Sequence, residues 1–215
     1  MKDARGRFPA VLFLAALVLL AFALHDQLRA PVSRASVGAA VVLGGYLLWM
    51  FLEARVTFGE AAKGPTDADR GSLELYGLGR LGLVGTAALV PTAPDAHGLR
   101  SVAALVLFAC GVTLRLSAIR ELGSFYSHRV RTVTAQPVVQ AGPYRWIRHP
   151  AYSGMLLAHA GLVTLFPNQW SIGLFLGLLL PAIIYRIHVE EQSLYQLAGY
   201  EEYGRTRRRL IPYVW

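Results

Sequence analysis

An all-α, polytopic membrane bundle of about six spans is what this sequence predicts, for three reasons. Of its 215 residues 54% are hydrophobic and only 16% charged, with a positive mean hydropathy of +0.42. The apolar residues gather into six blocks, at 8–24, 35–52, 73–90, 99–116, 151–166 and 170–185. Each block approaches the roughly 20 residues needed to cross ~30 Å of hydrocarbon. The cations gather too: Lys2, Arg5 and Arg7 precede the first block; Arg115, Arg120, Arg129, Arg131, Arg145 and Arg148 surround the long connection before the fifth; Arg186, Arg205, Arg207, Arg208 and Arg209 follow the sixth. With six spans these groups share one side, which the positive-inside rule assigns to the cytoplasm together with both termini. The turn at 167–169 on the opposite side carries no charge.

The first block follows basic residues, but no small-residue cleavage site comes after it, so it is read as a span rather than a leader. Little chemistry is expected in the first four spans. Gly44, Gly45, Gly77, Gly82, Gly85 and Gly111 mark close helix contacts, as small residues do in membranes. The stretch EARVTFGEAAKGPTDADRGS, 53–72, is polar and turn-rich and reads as an exposed connection. Gly77-Leu78-Gly79-Arg80-Leu81-Gly82 matches the dinucleotide pattern G-x-G-x-x-G. That pattern has meaning only where a strand turns into a helix, and here it lies inside an apolar helical block, so it is assigned to helix packing. The lone Cys110 excludes a disulfide framework and is read as a small membrane-core residue. No metal site is expected. The net charge of +8 is assigned to topology and lipid headgroups rather than to nucleic acid.

The chain divides at about 121/122, with membrane helices in 1–121 and nearly all the unusual polar residues in 122–215. A connection over 122–150, rich in aromatic and β-branched residues, is long enough to be functional. A tight helical hairpin follows, 150–166 and 170–197. The apolar part of its second arm stops near Tyr185, so RIHVEEQSLYQL projects about three turns beyond the membrane at 1.5 Å per residue. The tail, 199–215, reads as an amphipathic helix at the interface.

The densest polar cluster, GPYRWIRHPAYSG at 142–154, stands at the mouth of that hairpin. Pro150 fits the first turn of a helix and pushes His149 into an extended conformation. The bend at Gly142-Pro143 aims Tyr144 back toward the same helix end, where free amides favour anionic groups. Arg186 and Glu190 lie at i and i+4 on one helix face, flanked by His188 and Glu191. The short hairpin brings the two helix ends together, so Arg148, His149 and Tyr152 meet Arg186 and Glu190 in one pocket. Singly, each residue has a plainer role: headgroup anchor, turn residue, surface ion pair or aromatic belt. Their shared depth on adjoining helix ends points to a site.

The same residues, RHPxYxG followed by RxxxEE and then EY…R…IP, resemble the C-terminal region of the isoprenylcysteine carboxyl methyltransferase family and its phospholipid-methyltransferase relatives. The likeness covers about 122–214. It implies an integral-membrane enzyme that binds S-adenosylmethionine in a pocket facing the cytoplasm, in a bacterial inner membrane to judge from composition. By position, Tyr144 and His149-Pro150-Ala151-Tyr152 would contact the cofactor. Gln136-Pro137-Val138-Val139 would cradle it with backbone, Arg129 would reach it, and Glu190 would bind its polar end. Arg186 would face the acceptor, and Arg186, Glu190 and Arg148 form the expected catalytic set. The family often has His where Gln136 stands and Ser where Ala151 stands.

The residue types suit that chemistry. Methyl transfer from a sulfonium is an in-line displacement in which positioning supplies most of the acceleration. Tyrosine faces and a carboxylate accommodate the sulfonium. A carboxylate acceptor needs only an orienting cation such as Arg186; an amine would need a base, for which His149, His188 or Glu191 would serve. The expected partner is a lipophilic small molecule or lipid that enters from the bilayer, alongside membrane lipids. Phospholipid, thiol and amine acceptors stay open. So do a membrane NADPH-dependent reductase, with RTRRR as its phosphate site, and a non-enzymatic scaffold. Glycine-rich faces serve internal packing and dimers alike, so the sequence carries no oligomeric state.

Overall fold

The computed structural model describes residues 2–62, 67–90, 98–130 and 136–215. They form helices α1 (Lys2–Arg29), α2 (Arg34–Ala62), α3 (Ser72–Leu89), α4 (Leu99–Leu122), α5 (Pro150–Leu165), α6 (Gln169–Leu174), α7 (Leu180–Leu194) and α8 (Tyr200–Thr206). Among the described residues there is no strand, only an isolated parallel bridge between Ile147 and Arg208. Helix α1 packs on α2 and α3, α4 lies along α5, and α3 packs against α6 and α7.

Helices α6 and α7 are one continuous rod, joined by a π-helical turn at Phe175–Leu179. Pro181 explains the turn. Its ring clashes with the carbonyl four residues back and it donates no hydrogen bond, so the ladder widens just before it. The hairpin from α5 into α6 is closed by a capping box. Ser171 N–H donates to Asn168 Oδ1 at 2.9 Å, and Asn168 N–H donates to Ser171 Oγ at 3.1 Å.

Glycine sets the closest helix approach. A Cβ on Gly154 of α5 would lie 2.5 Å from the Gly111 carbonyl oxygen and 2.6 Å from the Arg115 nitrogen of α4. With backbones in contact, the end of α4 passes directly under the start of α5. The glycines of the 77–82 run pack as well: Cβ atoms on Gly77, Gly79 and Gly82 would meet Leu12, Leu179 and Leu174. That run is helix packing.

Among the described residues, four helical segments are long and apolar enough to cross a membrane: Phe8–Arg29, Ala35–Ala54, Leu99–Phe125 and Gln169–Leu194. Helices α3 and α5, also expected as spans, have 18 and 16 residues, or about 27 and 24 Å, short of ~30 Å. The outward faces of the long helices are apolar, with Val11, Val18, Phe22, Leu48, Val102 and Leu176 exposed. Such a surface suits hydrocarbon rather than water. Cys110 is on that outer face rather than in the core.

The interior departs from expectation in a way that matters for the site. Helices α2 to α4 bury Tyr46, Glu53, Arg80 and Arg115, at 0, 3, 6 and 1% exposure. The stretch 53–72 is not simply an exposed connection either. It begins inside α2, and Asp69 within it is 3% exposed. Helices α2 to α4 therefore hold a buried polar interior that their hydropathy does not announce.

Candidate active site

A cavity of about 110 Å³ opens where α3, α4, α5, α7 and α8 meet the connection after α4. Tyr144, His149, Ala151, Tyr152, Arg186 and Glu190 line it, as do Arg129 and Gln136-Pro137-Val138-Val139. Pro150 stands beside them, buried as the first residue of α5, where it sets the direction of the helix. His149, the residue before it, has φ −125° and ψ 57°, outside the helical region but short of a fully extended ψ. Gly142, with φ +56°, sits in the left-handed region that glycine adopts without steric cost, with Glu121 close by.

Arg186 is the centre of the wall. Its Nε donates to the Tyr152 hydroxyl at 2.9 Å and its Nη1 to Ser72 Oγ at 2.9 Å, with Asp69 Oδ1 at 3.5 Å. Its Nη2 donates to the His128 carbonyl. The Tyr152 hydroxyl donates in turn to Glu190 Oε2 at 2.7 Å. The His149 ring stacks on Tyr152, with centroids 5.7 Å apart. Asp69 joins two arginines, lying also 3.5 Å from Arg129 Nη1 and accepting the Val130 N–H at 2.8 Å.

Arg148 is turned elsewhere. It is absent from the cavity wall; its Nη1 lies 2.8 Å from Glu191 Oε1 and donates to the Tyr195 hydroxyl at 3.1 Å. The cause is local backbone. Arg148 N–H donates to the Arg208 carbonyl and His149 N–H to that of Arg209, which presents the Arg148 side chain toward Glu191 and not toward Glu190. The meeting expected of Arg148 with Arg186 and Glu190 does not occur.

Several groups in the site carry no sequence motif. Arg115 reaches the cavity from α4, bonded to Glu53 at 2.5 and 3.1 Å and donating to the Tyr126 hydroxyl at 2.8 Å. Trp49 Nε1 donates to the same Glu53 carboxylate. Behind them, Arg80 lies within 5.3–5.6 Å of the Phe13, Tyr46 and Trp49 rings and donates to the Tyr46 hydroxyl. The one sequence signal at Arg80 and Arg115 is an ionisable residue inside an apolar block, where the roles expected from sequence are helix packing and topology, respectively.

Burial and the neighbouring arginines 115 and 186 push the His128 imidazole down to about 4, against the nearby Glu53 carboxylate. It is neutral at neutral pH. Burial likewise raises the hydroxyls of Tyr126, Tyr144 and Tyr200 above their ordinary range, so the aromatic wall presents neutral faces.

Known proteins resemble this chain in sequence and in fold. Residues 103–196 match the isoprenylcysteine carboxyl methyltransferase (ICMT) family. The chain is 30% identical over 118 residues to a probable protein-S-isoprenylcysteine O-methyltransferase of Oryza sativa subsp. indica, covering 53% of this chain and 62% of that protein. It is 31% identical over 114 residues to protein-S-isoprenylcysteine O-methyltransferase B of Arabidopsis thaliana, covering 51% and 58%. It is 32% identical over 115 residues to the Schizosaccharomyces pombe protein-S-isoprenylcysteine O-methyltransferase, covering 52% and 49%. The matched region thus spans between about half and three fifths of these relatives. In fold, the chain superposes on the eukaryotic intramembrane Ras methyltransferase ICMT with TM-score 0.58 at 21% identity, covering 92% of this chain and 73% of that one. The part of the chain that resembles the isoprenylcysteine carboxyl methyltransferase family, residues 103–196, holds Arg115, His149, Tyr152, Arg186 and Glu190.

Proposed function

We propose that the chain is an integral-membrane methyltransferase that draws its methyl group from S-adenosylmethionine and transfers it to a lipophilic carboxylate. One observation carries this most directly. Among the described residues the Glu190 carboxylate is hydrogen-bonded only by Tyr152, and it faces a cavity that Arg186 also lines. A carboxylate that seeks a cation and a guanidinium that seeks an anion share one wall.

The residues fit such a cofactor. Glu190 offers a counter-charge to its ammonium or sulfonium, neutral Tyr144 and Tyr152 offer π-faces, and Val139, Leu194 and Leu197 offer an apolar bed. When bound, the sulfonium supplies an electrophilic methyl group. The chain's part is to hold and orient. Of the five N–H donors of Arg186, four meet Tyr152, Ser72, Asp69 and His128, which leaves one for an acceptor oxygen. A carboxylate oxygen is already nucleophilic, so no proton has to move. Arg148 acts behind this wall through Glu191.

In this scheme α3 and α5 complete six spans, and the cavity opens on the cytoplasmic side of a bacterial inner membrane, where a soluble donor meets a membrane-borne acceptor. The clustered cations support that side. The isoprenylcysteine carboxylate named in the relatives is one member of the proposed acceptor class. A reductase fits less well: Arg205, Arg207, Arg208 and Arg209 line no part of the cavity, and Arg205 and Arg209 pair with Glu201 and Glu191.

The test offers the protein, in lipid nanodiscs with tritiated donor, a prenylated cysteine and its carboxamide. Label is expected in the carboxylate alone, with kcat/KM falling about a hundredfold in Arg186→Met. Label in the carboxamide, or only in phospholipid amine, overturns the assignment.

A further inference from the structure

The C-terminal strap, 207–215, is tied to the site more tightly than an interfacial tail requires. Ile147 and Arg208 form a parallel bridge, in which Arg148 N–H donates to the Arg208 carbonyl at 2.8 Å and His149 N–H to that of Arg209 at 2.9 Å. Ser153 Oγ donates to the Leu210 carbonyl at 2.6 Å. Just ahead of the strap, the Tyr203 hydroxyl donates to the Tyr144 carbonyl at 2.8 Å. Tyr203 of α8 and the strap thus hold the two ends of the segment that carries Tyr144, His149 and Tyr152.

One side chain of the strap goes further. Arg209 places Nε and Nη2 at 2.9 and 2.8 Å from Glu191 Oε2. The other oxygen, Oε1, lies 3.2 Å from His149 Nε2 and 2.8 Å from Arg148 Nη1. Glu191 is 3% exposed, so these partners replace water around its charge. Beyond it the chain of contacts reaches the cavity: His149 stacks on Tyr152, and Tyr152 donates to Glu190.

We infer that Arg209 is a positioning residue of the cofactor site, acting through Glu191 to fix the His149 ring and, through its stacking, Tyr152 and Glu190. The inference rests on the cavity being the S-adenosylmethionine site. Without Arg209, Glu191 Oε2 is left buried and unpaired, and a buried carboxylate in that state draws its remaining partners toward itself. His149 is the partner on the cavity wall, so the wall that meets the donor is what shifts.

Calorimetric titration of the full chain in detergent with S-adenosylhomocysteine reads this without turnover. Arg209→Gln is expected to raise Kd about tenfold at unchanged stoichiometry, and Arg209→Lys, which keeps the charge and one bond, only about threefold. An unchanged Kd with fewer binding-competent molecules makes the strap a fold-stabilising element and overturns the inference. Should Arg209→Gln not fold, a Kd for Arg209→Lys equal to the parent's overturns it as well. No binding by the parent protein defeats the cofactor assignment itself, and the inference with it.

Discussion

Asp69 has no motif around it; it sits among turn-forming residues, yet folding brings it against Arg129, Arg186 and the Val130 amide. A carboxylate shared by two guanidiniums keeps both in place without neutralising both, which leaves Arg186 able to attract an anion. His128 contributes in another way. Burial keeps its imidazole uncharged down to about pH 4, whereas in the unfolded chain it titrates near 6.5. Between those values the unfolded state binds the extra proton, so stability rises with pH and is lost as pH falls from 6.5 toward 4. In detergent, His128→Gln is therefore expected to flatten the decline of the thermal midpoint over that window. A decline as steep as the parent's contradicts it. Arg186 and Glu190 were legible beforehand because helical spacing alone puts them on one face. Asp69, Ser72 and Glu53 were not, because their roles come from contacts with residues 62 to 117 positions away, which no local pattern encodes.

Helix packing was legible in kind and less so in place. Small residues predicted close approach, and Gly77, Gly82 and Gly111 do sit against neighbours, but Gly44 has nothing within 4 Å of a Cβ. The tightest approaches involve Gly111, Gly154 and Gly161, where α4 and α5 touch backbone to backbone. Sequence marks a glycine but not which helix it faces. The contact matters for the site because it holds Arg115 under Ala151, whose carbonyl lies 3.4 Å from Arg115 Nη1. Gly154→Leu is expected to lower the thermal midpoint by about 2–12 °C, the overpacking cost of roughly 1–3 kcal/mol acting on a chain of this size, and to abolish donor binding. Gly44→Ala is expected to leave both unchanged. Equal effects of the two substitutions, read by differential scanning fluorimetry and calorimetry, contradict this packing.

The whole chain is built so that its motif-bearing C-terminal region is completed by helices that carry no motif. The boundary drawn at 121/122 marks where unusual polar residues begin. The cavity crosses it, taking Leu73, Tyr76 and Arg115 from one side and His149, Tyr152, Arg186 and Glu190 from the other. The membrane class was legible from apolar block length, since that depends on composition alone. The buried polar interior of α2 to α4 was not, because hydropathy averages a single Glu53 or Arg80 away. The outer surface is apolar and the cavity wall is charged, which suits a lipophilic acceptor and a charged donor meeting at one depth. The donor site is the step on which the rest depends. Titration of the purified protein with S-adenosylmethionine, repeated on Glu190→Gln, tests it most directly. Saturable binding to the parent, weakened roughly 10–100-fold in the variant, is expected. Absence of binding, or equal affinity in the two proteins, would remove Glu190 and its cavity from the role assigned to them.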